Sequence, residues 1–189
     1  MAASDEAELV RMINTSVDIN DKPSAFRYPR GNGLGVELPN INEKLEIGKG
    51  RVIKEGKQVA ILNFGARLNE CLIACENLKK KGINLTLFDA RFVKPLDKNT
   101  IWQLARDHEI LISIEEGSIG GFGSHVSQYL FDNNLMDNNL KFRSMTLPDR
   151  FIDHDKPELM YKYAGLDADS IETKILDTLN SKVVVKKSN

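Results

Sequence analysis

The sequence is short of cysteine, tryptophan and long apolar runs. Two cysteines, Cys71 and Cys75, and one tryptophan occur in 189 residues. The cysteines stand four apart in one expected helix, too few for a metal site, since structural zinc takes four ligands. They read as small core-facing residues, and such sparing use of cysteine suits a reducing compartment. No apolar stretch approaches the roughly 20 residues that cross a bilayer. The opening MAASDEAELV holds acids where a secretory signal has a basic and then an apolar region, so no signal is expected.

An excess of charge of one sign is also missing. There are 26 Lys and Arg against 27 Asp and Glu, a formal net charge of −1, and the cations are spread along the chain. Nucleic acid and anionic membrane both need clustered cations, so neither is expected as a partner. What is present, 41% hydrophobic and 28% charged residues, is the profile of a soluble globular protein. The length allows one full domain plus a smaller piece.

Ser4 is expected to cap a helix whose first turn carries Asp5, Glu6 and Glu8, acids that suit the positive end of a helix. Leu9, Ile13 and Val17 follow at four-residue spacing, and the helix ends near Asn20. A short strand is expected from Ser24 to Tyr28, stopped by Pro29-Arg30-Gly31, and Leu34, Val36 and Leu38 alternate as a strand would. Residues 39–50 read as a polar linker. Arg51 to Lys54 and Gln58 to Asn63 flank Glu55-Gly56-Lys57, an expected hairpin. Arg67 to Lys81 is an amphipathic helix with Gly82 as its cap. Ile83 to Asp89 is a strand, Asp97 caps a helix to about Asp107, and Glu109 to Glu115 is a buried strand. A glycine-rich loop leads to a helix from about Ser124 to Asp132. A strand from Phe142 to Leu147 and helices near 156–164 and 167–179 complete the pattern, with a frayed tail over 182–189. Strands and helices alternate from Gln58 onward, which predicts a mainly parallel sheet with helices on both faces and an antiparallel strand at one edge.

Several residues are candidates for chemistry. The loop Gly117 to Gly123 joins a strand to a helix, where backbone N–H groups can meet a phosphate. It departs from the dinucleotide pattern, because Gly121-x-Gly123 is followed by Val126 where the third glycine belongs. It has no Gly-Lys-Ser/Thr either, and Glu115 and Glu116 would repel an anion, so a structural turn is the preferred reading. His108 at a helix end, His125 in a first helical turn and His154 in a loop read as surface or capping residues. In the segment Ser24 to Gly31, alternation puts Phe26 and Tyr28 on one side and Arg27 on the other. Arg30 then stands at the strand's end. A guanidinium there can grip a phosphate through two parallel hydrogen bonds, or pair with a neighbouring acid. Spacing alone leaves both open.

The segments SDEAEL, PSAFRYPRG, ARFVKPLD, IEEGSIGGFGSHV, LPDRFIDH and YAGLDADSI, in this order from residue 4 to residue 171, resemble the carboxyl-terminal third of the 1-deoxy-D-xylulose-5-phosphate synthases. These are transketolase-like enzymes that depend on thiamin diphosphate and magnesium. They join pyruvate to D-glyceraldehyde 3-phosphate with loss of CO2, in a step toward isoprenoid precursors, thiamin and pyridoxal. The resemblance implies three domains in the whole enzyme. The first holds the diphosphate and Mg2+ through a Gly-Asp-Gly motif, which this sequence lacks. The second binds the aminopyrimidine ring and supplies an activating glutamate. The third is a smaller domain without cofactor contacts.

By this resemblance residues 1–40 are the tail of the pyrimidine-binding domain, 41–50 a linker, 51–180 the transketolase C-terminal domain and 181–189 a tail. The fold expected for the third domain is three-layered α/β, with a mostly parallel five-stranded sheet and one antiparallel edge strand. The resemblance assigns the substrate phosphate to Arg30 and leaves Arg27 without a role. It implies no catalytic, cofactor-binding or metal residue in this chain, and no thiamin diphosphate or Mg2+ bound to it. The expected partners are the missing amino-terminal domains, a second copy in a homodimeric whole enzyme, and small-molecule substrates. The expected compartment is a bacterial cytoplasm, or a plastid stroma in a plant or alga. The chain by itself is expected to be inactive. Alternatives are a piece of another transketolase-like enzyme, such as a pyruvate dehydrogenase E1 beta subunit, or a stand-alone α/β interaction module.

Overall fold

The computed structural model describes residues 1–137 and 139–181, so the expected frayed tail over 182–189 lies outside the described residues. Two apolar segments set the architecture. β2 (Gln58–Phe64) and β4 (His108–Glu115) are buried over almost their whole length, as strands covered on both faces must be. They pair in parallel, Ile61 opposite Ile112. β3 (Thr86–Asp89) lies parallel to β2 on its other side, and β5 (Lys141–Met145) lies parallel to β4. β1 (Arg51–Lys54) runs antiparallel along β3, which gives the order β1-β3-β2-β4-β5.

Successive strand residues point to opposite faces, and this divides the core in two. Val59, Ile61, Leu87, Ile110, Ile112 and Ile114 pack against α2 (Leu68–Lys80) and α6 (Ala168–Asn180). Ala60, Leu62, Phe64, Phe88 and Leu111 pack against α3 (Lys98–Asp107) and α4 (Phe122–Asp132). The caps follow from the residues present. Asp97 accepts from the Thr100 N–H at 3.2 Å, and Gly82, at φ 82°, follows the end of α2. The short helix α5 (Pro157–Ala164) ends at Gly165 in the left-handed region. A third cluster, Ala3, Met12, Leu45 and Phe92, lies under α1 (Glu6–Val17).

Four expectations are corrected. The cap of α1 is Asp5, which accepts from the Glu8 N–H at 2.7 Å, while Ser4 donates to Asp89 instead. The buried face of α1 is Ala7, Glu8, Met12 and Thr15; the expected apolar stripe is turned outward, Ile13 being 41% and Val17 70% exposed. The segment from Ser24 to Tyr28 forms one bridge, Arg27 to Ala2, and 34–38 forms no strand, its N–H groups being taken by a side chain. α4 starts at Phe122, two residues before Ser124.

A fifth correction is topological. β1 and β2 are not a hairpin, because β3 lies between them. The connection Glu55-Gly56-Lys57 passes over the start of β3. The Gly56 N–H donates to Thr86 Oγ1 at 3.0 Å and the Lys57 N–H to the Asn84 carbonyl at 3.1 Å. A Cβ on Gly56 would lie 2.3 Å from the Leu85 carbonyl carbon, so only glycine fits this crossing. Gly56→Ala should therefore cost about 1–3 kcal/mol in denaturant unfolding, as overpacking does. Gly31→Ala, where an added Cβ meets nothing within 4 Å, should stay within about 0.5 kcal/mol.

Candidate functional site

β2, β3 and β4 carry buried polar residues at their carboxyl ends: Asn63, Asp89 and Glu115. This is the edge at which open α/β sheets bind ligands. Here residues 1–4 lie across it. The Ala2 N–H donates to the Arg91 carbonyl at 3.0 Å, and Ala3 and Met1 bond the main chain of Arg27 at 3.1 and 3.0 Å. Ser4 Oγ donates to Asp89 at 2.9 Å, and Ala2 is fully buried against the sheet.

The segment is locked by Glu8, whose carboxylate is fully buried. Arg91 donates to both of its oxygens, from Nε at 2.6 Å and Nη2 at 2.9 Å. Arg51 and Arg11 each approach at 3.0 Å. Arg51 continues to Asp89 at 3.1 Å, so one network joins α1, β1, the end of β3 and the residues beyond it. Arg91 holds a φ of 57°, a conformation a non-glycine residue keeps only where its surroundings fix it. Burial raises the Asp89 carboxyl above its ordinary 3.8, against the opposing pull of Arg51 and Ser4.

The glycine loop after β4 is filled by the protein itself. Glu115 Oε1 accepts from the Gly123 N–H at 2.9 Å, at the amino end of α4. A Cβ on Gly117 or Gly121 would lie 2.4 Å from Glu115 Oε2. These glycines make room for a carboxylate, which occupies the place a phosphate would take. Glu116 turns the other way, to Arg67 at 2.7 Å. The Arg67 guanidinium lies 3.6 Å from the centre of the Tyr161 ring. Burial, with Glu116 nearby, pushes the Tyr161 hydroxyl up to about 12.

A second carboxylate fills a second glycine-rich loop. Glu6 accepts from the N–H groups of Leu34, Gly35 and Val36 at 2.9, 2.5 and 3.0 Å. Between the two loops stands the segment with both candidate arginines. Arg27 lies over the Phe64 ring, 5.2 Å from its centre, and 3.8 Å from Glu115. Phe26 and Tyr28 stack on each other, their ring centres 6.4 Å apart. Arg30 is exposed, and among the described residues it makes no hydrogen bond or ion pair. The segment does not belong to the five-stranded sheet, so Arg30 is not at the end of one of its strands.

The other candidates have structural places. His108 opens β4; its Nδ1 donates to the Leu104 carbonyl at 3.0 Å and its Nε2 lies 2.7 Å from Thr86 Oγ1, tying α3 to β3. His125 is half-buried in α4 and His154 is exposed in its loop. Cys71 and Cys75 are buried in the core, and burial pushes the Cys75 thiol up to about 11. No group of three or more His, Cys, Asp or Glu that could hold a metal occurs among the described residues. Sequence reasoning missed Glu6, Glu8 and Glu115 as organising residues. The one available signal was the spacing of Glu8 with Met12 and Thr15, which places them on one helical face.

A family described as transketolase, C-terminal domain, matches residues 48–171, and the protein belongs to it. A solved structure described as a split gene transketolase, inactive beta4 tetramer, has a TM-score of 0.68 and 27% identity, over 78% of this chain and 48% of that one. A transketolase mutant from Pichia stipitis, solved in complex with xylulose 5-phosphate, has a TM-score of 0.50 and 13% identity, over 70% of this chain and 18% of that one. This second likeness concerns the fold alone. The chain spans about half the length of the first structure and less than a fifth of the second. The expected α/β fold, five strands with one antiparallel at the edge, is the fold found.

The Glu8 network yields two predictions. Glu8→Ala leaves Arg91 and Arg51 without their central anion and should cost about 3–5 kcal/mol of unfolding free energy. Glu43→Ala removes only an exposed partner of Arg11 and should cost no more than about 1 kcal/mol. Because the Asp89 carboxyl is raised in the fold, its contribution is complete below its ordinary 3.8 and is lost as pH rises through the raised value. Asp89→Asn should therefore destabilise most at acid pH and less near neutrality, in unfolding curves taken at about pH 4 and pH 8.

Proposed function

We propose that this chain is the carboxyl-terminal part of a thiamin-diphosphate enzyme of the transketolase type, and that the enzyme is a 1-deoxy-D-xylulose-5-phosphate synthase. The observation that carries the reading is Arg30. It is an exposed guanidinium without an intramolecular partner among the described residues, on a segment anchored at both sides. The family match to residues 48–171 supports the coarser part of the reading. In this reading residues 1–40 are the tail of the pyrimidine-binding domain, 41–50 the linker and 51–180 the third domain. Ile13, Val17 and Tyr28 are exposed, which suits a surface covered by the upstream domains.

The residues described here do not fit thiamin diphosphate or Mg2+. Glu115 fills the glycine loop, and no metal-holding cluster occurs among the described residues. Both groups belong, in this reading, to the upstream domains. The role left to this chain is recognition: Arg30 grips the phosphate of D-glyceraldehyde 3-phosphate with two parallel hydrogen bonds and so orients the aldehyde. The whole enzyme is a homodimer working in a bacterial cytoplasm or a plastid stroma.

Arg30→Ala in the whole enzyme should weaken use of the aldehyde phosphate at least about tenfold, since losing a charged pair to a ligand costs about 2–5 kcal/mol. The Michaelis constant for pyruvate should change little, and Arg30→Lys should recover part of the loss. Unchanged kinetics for the aldehyde phosphate would rule the role out. Calorimetric titration of this chain with thiamin diphosphate and Mg2+ should show no saturable binding, and micromolar binding would overturn the assignment of both to other domains.

One observation favours a second reading. The solved structure at 27% identity is described as a split gene transketolase, so this chain is then a separately encoded half that joins a partner chain. The mass of the native protein distinguishes the two readings.

A further inference from the structure

The stretch that carries Arg30 has a fixed point on each side. On the amino side, Arg27 is bonded through its main chain to Met1 and Ala3 at 3.0 and 3.1 Å. Its guanidinium lies over Phe64 and beside Glu115. On the carboxyl side, three successive N–H groups, from Leu34, Gly35 and Val36, converge on the Glu6 carboxylate. Residues 28–33 make no main-chain hydrogen bond among the described residues. The position of Arg30 is therefore set by what holds the ends.

The carboxyl-side anchor is built for a carboxylate. A Cβ on Gly33 would lie 2.7 Å from the Glu6 carboxylate, which would have to shift to admit it, and Gly35 takes a φ of 80°, a conformation that favours glycine. Backbone N–H groups converging in this way form a concave anion site, and Glu6 occupies it. Glu6 itself is held firmly. It lies in the first turn of α1, capped by Asp5, and the Glu8 network pins that helix to the sheet.

We propose that Glu6 is a positioning residue for phosphate recognition: its carboxylate, bound in the Gly33–Val36 loop, fixes the segment that presents Arg30 to the substrate phosphate. The proposal rests on the reading of Arg30 as the phosphate-gripping residue. Glu6 also keeps free anions out of the loop's own N–H site, so that Arg30 is the donor left to the ligand. Hydrogen bonds from its own main chain and from Leu34, Gly35 and Val36 hold the Glu6 carboxyl below its ordinary value, so the anchor is charged at neutral pH.

The test has two parts. On this chain, NMR amide exchange and 15N relaxation are compared for the native protein, Glu6→Ala, Glu6→Gln and Gly33→Ala. Exchange at Leu34, Gly35 and Val36 should accelerate about tenfold or more in Glu6→Ala, the main chain at Arg30 should become more mobile, and the melting temperature should stay within a few degrees. Glu6→Gln, which keeps one acceptor oxygen, should fall between, and Gly33→Ala should loosen the same amides by displacing Glu6. An Arg30 no more mobile in Glu6→Ala than in the native protein overturns the proposal. In the whole enzyme, Glu6→Ala should raise KM for D-glyceraldehyde 3-phosphate about fivefold or more, because an unfixed loop must be ordered on binding. The values of kcat and of KM for pyruvate should change little. Glu6→Gln should recover part of the loss, and Glu6→Ala combined with Arg30→Ala should be no worse than Arg30→Ala alone. If Arg30→Ala weakens the aldehyde phosphate and Glu6→Ala does not, the positioning role falls while the reading of Arg30 stands. If Arg30→Ala itself has no effect, that reading falls, and the proposal falls with it.

Discussion

A carboxylate taken fully out of water needs positive partners on every open side, and Glu8 has three. They come from different parts of the chain: Arg11 one turn along α1, Arg51 on the edge strand β1, and Arg91 just beyond β3. Because these partners come from three places, one buried charge holds the helix, the edge strand and the sheet's carboxyl edge together. The covering of that edge by residues 1–4, the Ser4 bond to Asp89 and the placing of Glu6 all depend on α1 lying where Glu8 holds it. Sequence resemblance groups residues 1–40 with a preceding domain, yet their first half is bonded to the α/β unit by charge and by a small apolar cluster around Met12 and Phe92.

Glu6 and Glu115 solve the same problem twice. A loop rich in glycine exposes N–H groups that want an anion, and in both loops a side chain of this protein supplies it. In both places the main-chain donors are taken by the protein itself, whereas Arg30, on the segment that leads into the Glu6 loop, is exposed and makes no hydrogen bond or ion pair among the described residues. A lysine there would offer a point charge, whereas arginine offers a planar fork that matches phosphate geometry.

The alternating part of the fold was legible because its signals are local. From Gln58 onward the strands, helices and caps stand within a few residues of where period and capping chemistry place them, Asp97 and Gly82 among them. What escaped depends on distance along the chain. Glu8 and Arg91 are 83 residues apart and Glu6 and Gly35 29 apart, and of the three arginines on Glu8 only Arg11 is near it in sequence. The acids of the first turn suit a helix dipole equally well, so the spacing of Glu8 with Met12 and Thr15 was the one local hint that this face turns inward and Ile13 and Val17 outward. The strand expected over 34–38 failed for a related reason. Alternation describes a surface with two sides, but successive N–H groups that all turn to one carboxylate cannot also form a ladder. Arg30 was legible as a residue type at a turn, and its freedom from internal partners appears only in three dimensions.

The insertion of β3 between β1 and β2 bears on how the chain reaches its fold. Three residues separate β1 from β2, so a hairpin between them would close the shortest loop available and would form early. The native sheet forbids that pairing. β1 has no neighbour until the chain has passed through β2 and α2 and returned as β3, more than thirty residues later. The edge strand can therefore pair only once β3 is available, and that pairing brings Arg51 to Glu8 and Asp89. In the finished sheet the pairing of β1 with β3 is also what carries Arg51 to the buried acids, which couples the strand order to the docking of the amino-terminal helix.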